Sequence, residues 1–324
     1  MGRDQRSGVR GQGTTLILIS SILAGVGSLA GQLPATSTQQ PATSTQQPAT
    51  SVVVLGTGNP NPDPDRSGPA VAIIVNGTPY LVDAGAGVMR RAEQAYRAGV
   101  TALTRNSIGV VFLTHLHSDH TIGLPDVIHT GWVMGREAPL KVFGPKGTRD
   151  MTLHLQEAWR LDVRIRSDGL QPHTANGWQV ESKDVWEGVV YQDSNVTVSA
   201  FPVPHANWVE ALGYKFVTRD RTIVISGDTR PNDAVVEACN GCDVLIHEVY
   251  SAEKFLEQEP EWRAYHADSH TSTTELAGLA TRARPKLLVL YHQLYWGATD
   301  DDLLREVRKG YSGAVVSARD LGIY

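Results

Sequence analysis

The run Thr114-His115-Leu116-His117-Ser118-Asp119-His120 sets four potential metal ligands within six positions. It follows directly on the apolar stretch from Gly109 to Leu113, which predicts a buried strand. Few folds meet that demand, because a rigid strand must end at a loop where imidazoles and a carboxylate gather out of bulk water. On the extended part alternate side chains point the same way, so His115 and His117 can share one ion. Past the turn, Asp119 and His120 can face a second. Mixed imidazole and carboxylate donors suit zinc, with manganese and iron as the other candidates. Buried without an ion, the same groups would be left unsatisfied at about 1–3 kcal/mol each.

The rest of the chain alternates strands and helices. Strands are predicted at Ser51 to Gly56, Val71 to Val75 and Tyr80 to Val82, the last two joined by the turn Asn76-Gly77. A helix follows from Gly87 to Ala98. Later strands are expected near Val196–Val203, Ala211–Val217, Thr222–Ile225, Val244–Ile246 and Leu287–Leu290, with helices near Asn232–Ala238, Thr273–Ala283 and Asp300–Lys309. This order fits an α/β (α+β) sandwich of two facing mixed sheets covered by outer helices. The pair Cys239 and Cys242 follows a predicted helix and reads either as a local disulfide or as helix-end packing.

Before this domain, Arg3, Arg6 and Arg10 precede an apolar run from Leu16 to Ala30 that ends in Ser28-Leu29-Ala30. That pattern predicts a signal peptide over residues 1–30, cleaved after Ala30, and hence an exported, periplasmic or secreted protein. The run falls short of the roughly 20 apolar residues of a membrane span, so membrane attachment would follow only if the segment stays uncleaved. Residues 31–50 carry the PATSTQQ repeat, a polar linker predicted to be disordered, and the folded domain is expected over 51–324. A formal charge of −5 argues against a general polyanion binder.

Further motifs fall in a recognisable order: Leu55-Gly56-Thr57-Gly58, Val82-Asp83-Ala84-Gly85, the histidine run, Pro204-His205, Ser226-Gly227-Asp228-Thr229, Ile246-His247-Glu248, Ser269-His270-Thr271-Ser272-Thr273 and Leu290-Tyr291-His292. From about Val52 to the C-terminus the sequence resembles the metallo-β-lactamase superfamily and, within it, the ribonuclease Z-like branch. The resemblance implies an αβ/βα sandwich with two zinc ions. His115, His117 and His205 would bind one ion, Asp119, His120 and His292 the other, and Asp228 would bridge them. Asp83 would orient a ligand histidine, a turn aspartate being the competing reading. Asp119 would also orient or deprotonate the attacking water, while His270, partnered by Glu248, would assist the departing oxygen. His247 reads as a packed residue. The resemblance also implies a homodimer.

Substrate is where the sequence departs from that branch. Its RNA processors carry a Pro-x-Lys-x-Arg-Asn type signature, whereas Pro62-Asp63-Pro64-Asp65-Arg66-Ser67 keeps only the proline and arginine. They also carry a basic projecting arm, whereas residues 151–200 hold four basic side chains against seven acidic ones, which argues against nucleic acid. Trp159, Trp178 and Trp186 lie in that segment, and Trp132, Trp208, Tyr295 and Trp296 lie near metal motifs. Flat rings bordering a metal site suit an aromatic or apolar leaving group, with ordinary packing as the competing explanation. The stretch Gly123-Leu124-Pro125-Asp126 through Gly131-Trp132 resembles exported members described as arylsulfatases. The expectation is a dinuclear zinc hydrolase of a small-molecule sulfate or phosphate (di)ester, with Trp132, Trp208 and Arg66 contacting substrate. The alternatives are a ribonuclease Z-type 3′-processing endoribonuclease for transfer RNA, a β-lactamase or lactonase, and a non-catalytic metalloprotein.

Overall fold

Period-two alternation in the first strand shows how the layers are built. Val52 and Val54 enter one hydrophobic core, and their neighbours Val53 and Leu55 enter another, because successive strand residues face opposite sides of a sheet. The computed structural model describes residues 49–324, so the predicted leader and nearly all of the predicted linker lie outside the described residues. Sheet one runs in the order β1 (Thr50–Gly56), β2 (Ala70–Val75), β3 (Thr78–Val82), β4 (Val110–Phe112), β5 (Leu140–Gly144) and β6 (Val180–Asp184). Sheet two contains β7 (Gly188–Gln192), β8 (Val196–His205), β9 (Trp208–Thr218), β10 (Thr222–Ile225), β11 (Val244–Tyr250), β12 (Leu287–Leu294) and β13 (Val315–Ser317), in sequential order from β7 at one edge to β13 at the other. Each sheet begins as an antiparallel meander and ends in parallel strands.

The core between the sheets centres on Phe112, whose ring lies 5.4–5.8 Å from those of Phe143, Tyr191, Tyr214 and Phe216. It anchors β4 two residues before Thr114 and so fixes where the histidine run departs. On the outer face of sheet one pack α1 (Val88–Arg97) and α3 (Leu124–Val133), the latter following a single turn, α2 (Ser118–Thr121). The outer face of sheet two is covered by α6 (Asp233–Cys239), α9 (Thr273–Ala283) and α10 (Asp300–Arg308). The expected four-layer sandwich is thus the observed fold. Cys239 and Cys242 are joined as a disulfide at the end of α6. Among the described residues no helix is long and apolar enough to cross a membrane.

Residues 148–192 depart from the picture of one inserted segment. They divide into α4 (Thr148–Ala158), α5 (Arg160–Asp168) and the strands β6 and β7, one at an edge of each sheet. The two strands, Val-Glu-Ser-Lys-Asp and Gly-Val-Val-Tyr-Gln, are half or more exposed. Edge strands keep charged and polar residues to discourage pairing with other chains, which hides them from a search for apolar alternation. The remaining helices, α7 (Ala252–Phe255) and α8 (Pro260–Ser269), lie between β11 and α9.

The loops that carry the functional motifs meet backbone to backbone. Ala84 N–H donates to the His120 carbonyl at 2.8 Å, Gly123 N–H to the Ala84 carbonyl at 2.8 Å, and Gly68 N–H to the Ala86 carbonyl at 2.9 Å. A Cβ on Gly85 would stand 2.3 Å from the Gly68 carbonyl carbon, and one on Gly123 would stand 2.2 Å from the Gly85 oxygen. Gly85→Ala is expected to lower stability by about 1–3 kcal/mol through this overpacking. Gly278→Ala, on the exposed face of α9 with no atom within 4 Å of the new Cβ, should instead raise it by about 0.5–1 kcal/mol. Denaturant midpoints of the two variants check both signs, and a neutral Gly85→Ala would show that the loops part without cost.

Candidate metal centre

Ends of strands from both sheets supply the site. His115, His117, Asp119 and His120 follow β4 of sheet one, while His205 closes β8, Asp228 follows β10 and His292 lies within β12 of sheet two. His292 reaches the site through a bulge: Glu248 pairs with Tyr291 and Val249 with Gln293, so His292 is the extra residue and adopts φ +47°. Asp83, just past β3, has φ +59°. Such left-handed conformations are unfavourable for side chains other than glycine and tend to collect at functional sites.

The seven sequence-predicted ligands converge. His115 Nε2 lies 2.9 Å from His117 Nδ1, which lies 3.3 Å from His205 Nε2. Asp119 Oδ2 lies 3.2 Å from His292 Nε2 and 3.5 Å from His120 Nε2. Between these triads Asp228 Oδ2 sits 3.3 Å from His120 Nε2, 3.5 Å from His292 Nε2 and 3.8 Å from His115 Nε2. Ligand atoms within each of four such groups lie within 4.8 Å of one another, the fourth joining Asp228, His270 and His292.

The other nitrogens of several of these rings are already engaged, which fixes how the rings are aimed. His205 Nδ1 is 2.7 Å from the Ser269 carbonyl. His120 Nδ1 is 2.8 Å from Asp83 Oδ2, and Asp83 is itself held by the Thr114 N–H at 2.8 Å and the Thr114 hydroxyl at 2.9 Å. Trp208 donates its indole N–H to His117 Nε2, which turns Nδ1 inward. Anchoring of this kind sets tautomer and orientation in metal sites.

This donor set fits a bound cation. His120 Nε2, which faces Asp119 and Asp228, is buried without a hydrogen-bond partner among the described residues, a state that costs free energy unless another ligand satisfies it. Burial pushes His115 well below the usual imidazole range and His117 down to about 4, keeping both neutral and able to ligate. Burial also opposes charge on His120 and on Asp228. There the electrostatic partners win: Asp228, Asp83 and Asp119 raise His120, and His292, His120 and His115 drive Asp228 well below the carboxylate norm. Carboxylates that would favour a proton on His120 equally favour a cation in the proton's place, which would leave the ring neutral and able to ligate.

Glu248 and His270 stand at the rim. His270 Nδ1 lies 3.2 Å from Glu248 Oε2, and Glu248 Oε1 accepts the Thr271 N–H at 2.7 Å. His247 is packed inside, with Nδ1 2.7 Å from the Glu248 carbonyl.

One expected substrate contact, Trp132, is corrected, whereas Arg66 lines a cleft that reaches Asp119. Trp132 is fully buried in α3 and donates its N–H to the Thr174 carbonyl at 3.0 Å. Its spacing from Leu124, Val127 and Ile128 places it on the core face of the helix. Arg66 donates to the Thr57 hydroxyl at 3.0 Å, the Thr57 carbonyl at 2.7 Å and Gln293 Oε1, and its guanidinium lies 4.7 Å from the centre of the Tyr295 ring. It braces the first loop against β12 and faces an adjoining cleft. The residues that the sequence reading passed over are Trp262, Tyr265 and His266 on α8, which line the cavity above the ligand cluster. Their spacing of three and four is helical, and that signal was present in the sequence.

Asp83→Asn keeps the side chain's shape and tolerance of positive φ but removes the carboxylate that aims His120. Zinc affinity is expected to fall about 10–100-fold, measured by competition with a chromophoric chelator. Unaltered affinity would remove Asp83 from the support of the site.

Comparison with known proteins agrees with this geometry. The family described as "Beta-lactamase superfamily domain" matches residues 78–293. Ribonuclease Z of Mycobacterium bovis is 33% identical over 249 residues, covering 74% of this chain and 85% of the relative. Ribonuclease Z of Mycolicibacterium gilvum is 34% identical over 245 residues, covering 74% and 83%. Among solved structures, the metallo-β-lactamase fold protein YhfI from Bacillus subtilis superposes with a TM-score of 0.66 at 18% identity, covering 85% of this chain and 98% of that one. The short form of human tRNase Z superposes with a TM-score of 0.63 at 23% identity and the same coverage. The chain therefore belongs to the metallo-β-lactamase superfamily, in its ribonuclease Z-like branch, and is a hydrolase acting on ester bonds.

Proposed function

We propose that the chain is a two-zinc phosphodiesterase making a ribonuclease Z-type cut. The observation that carries this reading is the pair of donor triads meeting at Asp228, with His270 at their edge. Two zinc ions held by His115, His117 and His205 and by Asp119, His120 and His292 would acidify a water and offset charge on the phosphoryl group. Asp119, partly exposed on the cavity floor, orients that water and takes its proton. His270 Nδ1 lies 3.2 Å from Glu248 Oε2, a carboxyl held in turn by the Thr271 N–H, so the ring is oriented with Nε2 free to give a proton or hydrogen bond to the leaving oxygen.

The sequence argument against nucleic acid is corrected here. The relatives that align over about three quarters of this chain are named ribonuclease Z, and that supports a nucleic-acid phosphodiester ahead of a small sulfate ester. Local charge in residues 151–200 is a weak guide, because those residues divide between two helices and two sheet edges rather than forming one arm. A small phosphate or sulfate ester stands as the second reading, favoured by a cavity of about 750 Å³ with no Lys or Arg among its lining residues. Export, resting on Arg3, Arg6, Arg10 and the run to Ala30, belongs to this second reading, which it favours over RNA.

Turnover of a precursor transfer RNA, bis(4-nitrophenyl) phosphate and 4-nitrophenyl sulfate decides among them. The precursor is expected to be cut fastest, the diester more slowly and the sulfate least. Faster loss of the diester than of the RNA would move the assignment to small phosphodiesters, and preference for the sulfate would overturn phosphodiester cleavage altogether. His270→Ala is expected to slow the best substrate by about 10²–10⁴-fold, while zinc measured by atomic emission stays near about two per chain. Loss of one zinc in that variant would make His270 a ligand instead.

A further inference from the structure

The cavity above the ligand cluster has an aromatic wall that the proposed chemistry does not use. Trp262 and His266 on α8 and His270 at its C-terminal end are spaced four apart and so share one face. The His270 and His266 ring centres are 5.6 Å apart, His266 and Trp262 are 5.6 Å apart and nearly parallel, and His266 lies 4.7 Å from Trp296. Tyr265 adds a ring 6.2 Å from His270. A row of flat surfaces therefore leads from the reacting centre to solvent, where Trp262 is 57% and Tyr265 40% exposed. Large apolar rings exposed together at a cavity mouth point to a ligand rather than to packing.

Two further observations narrow the ligand. His266 is buried, and its Nδ1 has no hydrogen-bond partner among the described residues, so the wall includes an unmet polar atom. The cavity lining includes Glu261 and Gln258 but neither Lys nor Arg, so this wall offers no cation to a phosphate and recognition along it falls to the flat rings. We propose that this wall is a subsite for a planar aromatic group carried by the scissile ester, a nucleobase or an aryl ring, stacked on Trp262 and Trp296 and hydrogen-bonded at its edge by His266. Every base presents a π-face, so stacking recognises the flat ring common to both sources. The inference rests on the ester-hydrolase reading and names the substrate feature that the site selects.

Calorimetric titration of the zinc-loaded protein with adenosine 5′-monophosphate, phenyl phosphate and methyl phosphate tests it without turnover. At least one aromatic phosphate is expected to bind about tenfold tighter than methyl phosphate. In Trp262→Ala that preference should shrink to within about twofold, and Trp262→Phe should restore most of it. A stronger grip on the nucleotide, weakened by His266→Ala, assigns the subsite to a nucleobase, whereas equal or tighter binding of phenyl phosphate assigns it to an aryl ring. Equal binding of all three phosphates by the wild type, or a preference that survives Trp262→Ala, would overturn the proposal. Absence of any ester turnover with the preference intact would reject the hydrolytic reading and leave the subsite standing.

Discussion

Convergence of seven candidate ligand side chains, five of them buried, around one small volume is the constraint to which the rest of the structure answers. Imidazole nitrogens and carboxylates withdrawn from water each need a partner, and here the inward atoms face one another, with His120 Nε2 left without a hydrogen bond among the described residues. Asp228 is the centre of the arrangement: its Oδ2 is within 3.8 Å of nitrogens from three histidines. Its charge raises His120 and His292, and theirs lowers its own. A cation held among these donors would turn mutual frustration into coordination.

Precision in the ligands is purchased with rigidity behind them. Phe112 and its four aromatic neighbours lock β4, Thr114 holds Asp83, Asp83 holds His120, and the Ser269 carbonyl holds His205. The tight contact of Gly68, Gly85 and Gly123 then keeps the Asp83 loop in register with the loop of the histidine run. Farther out, Glu306 accepts from the Ser251 hydroxyl at 2.7 Å and the Ala252 N–H at 2.8 Å, pinning α10 to the end of β11 beside the segment that carries α8. Support of this kind lets strained residues such as His292 keep their conformation.

Much of this was legible in the residues themselves. The histidine run announced itself because it joins a continuous apolar strand to four donors, and the sandwich followed from the order of predicted strands and helices and from the helical period of α1, α9 and α10. The ordered motifs supplied His205, Asp228 and His292, which no local pattern would have singled out. Other features were not legible for definite reasons. A bulge leaves no mark in composition, so the re-aiming of His292 could not be foreseen. The strands β6 and β7 are polar because they are edges. Trp132 misled because closeness in sequence to a metal motif is not closeness in space; its helical phase with Leu124 and Ile128 was the better guide. The aromatic face of α8 was readable from the spacing of Trp262, Tyr265 and His266, yet carried no metal-like motif to draw attention.

The ligands are drawn from the strand ends of both sheets, so whatever they grip also clasps the two halves of the sandwich together. Binding energy spent there is not available to the unfolded chain, where the donors are scattered across the sequence, and it is therefore added to the free energy of folding. A cation gripped there would also act as a structural rivet, making the cohesion of the mouth of the sandwich a matter of metal supply as well as of sequence.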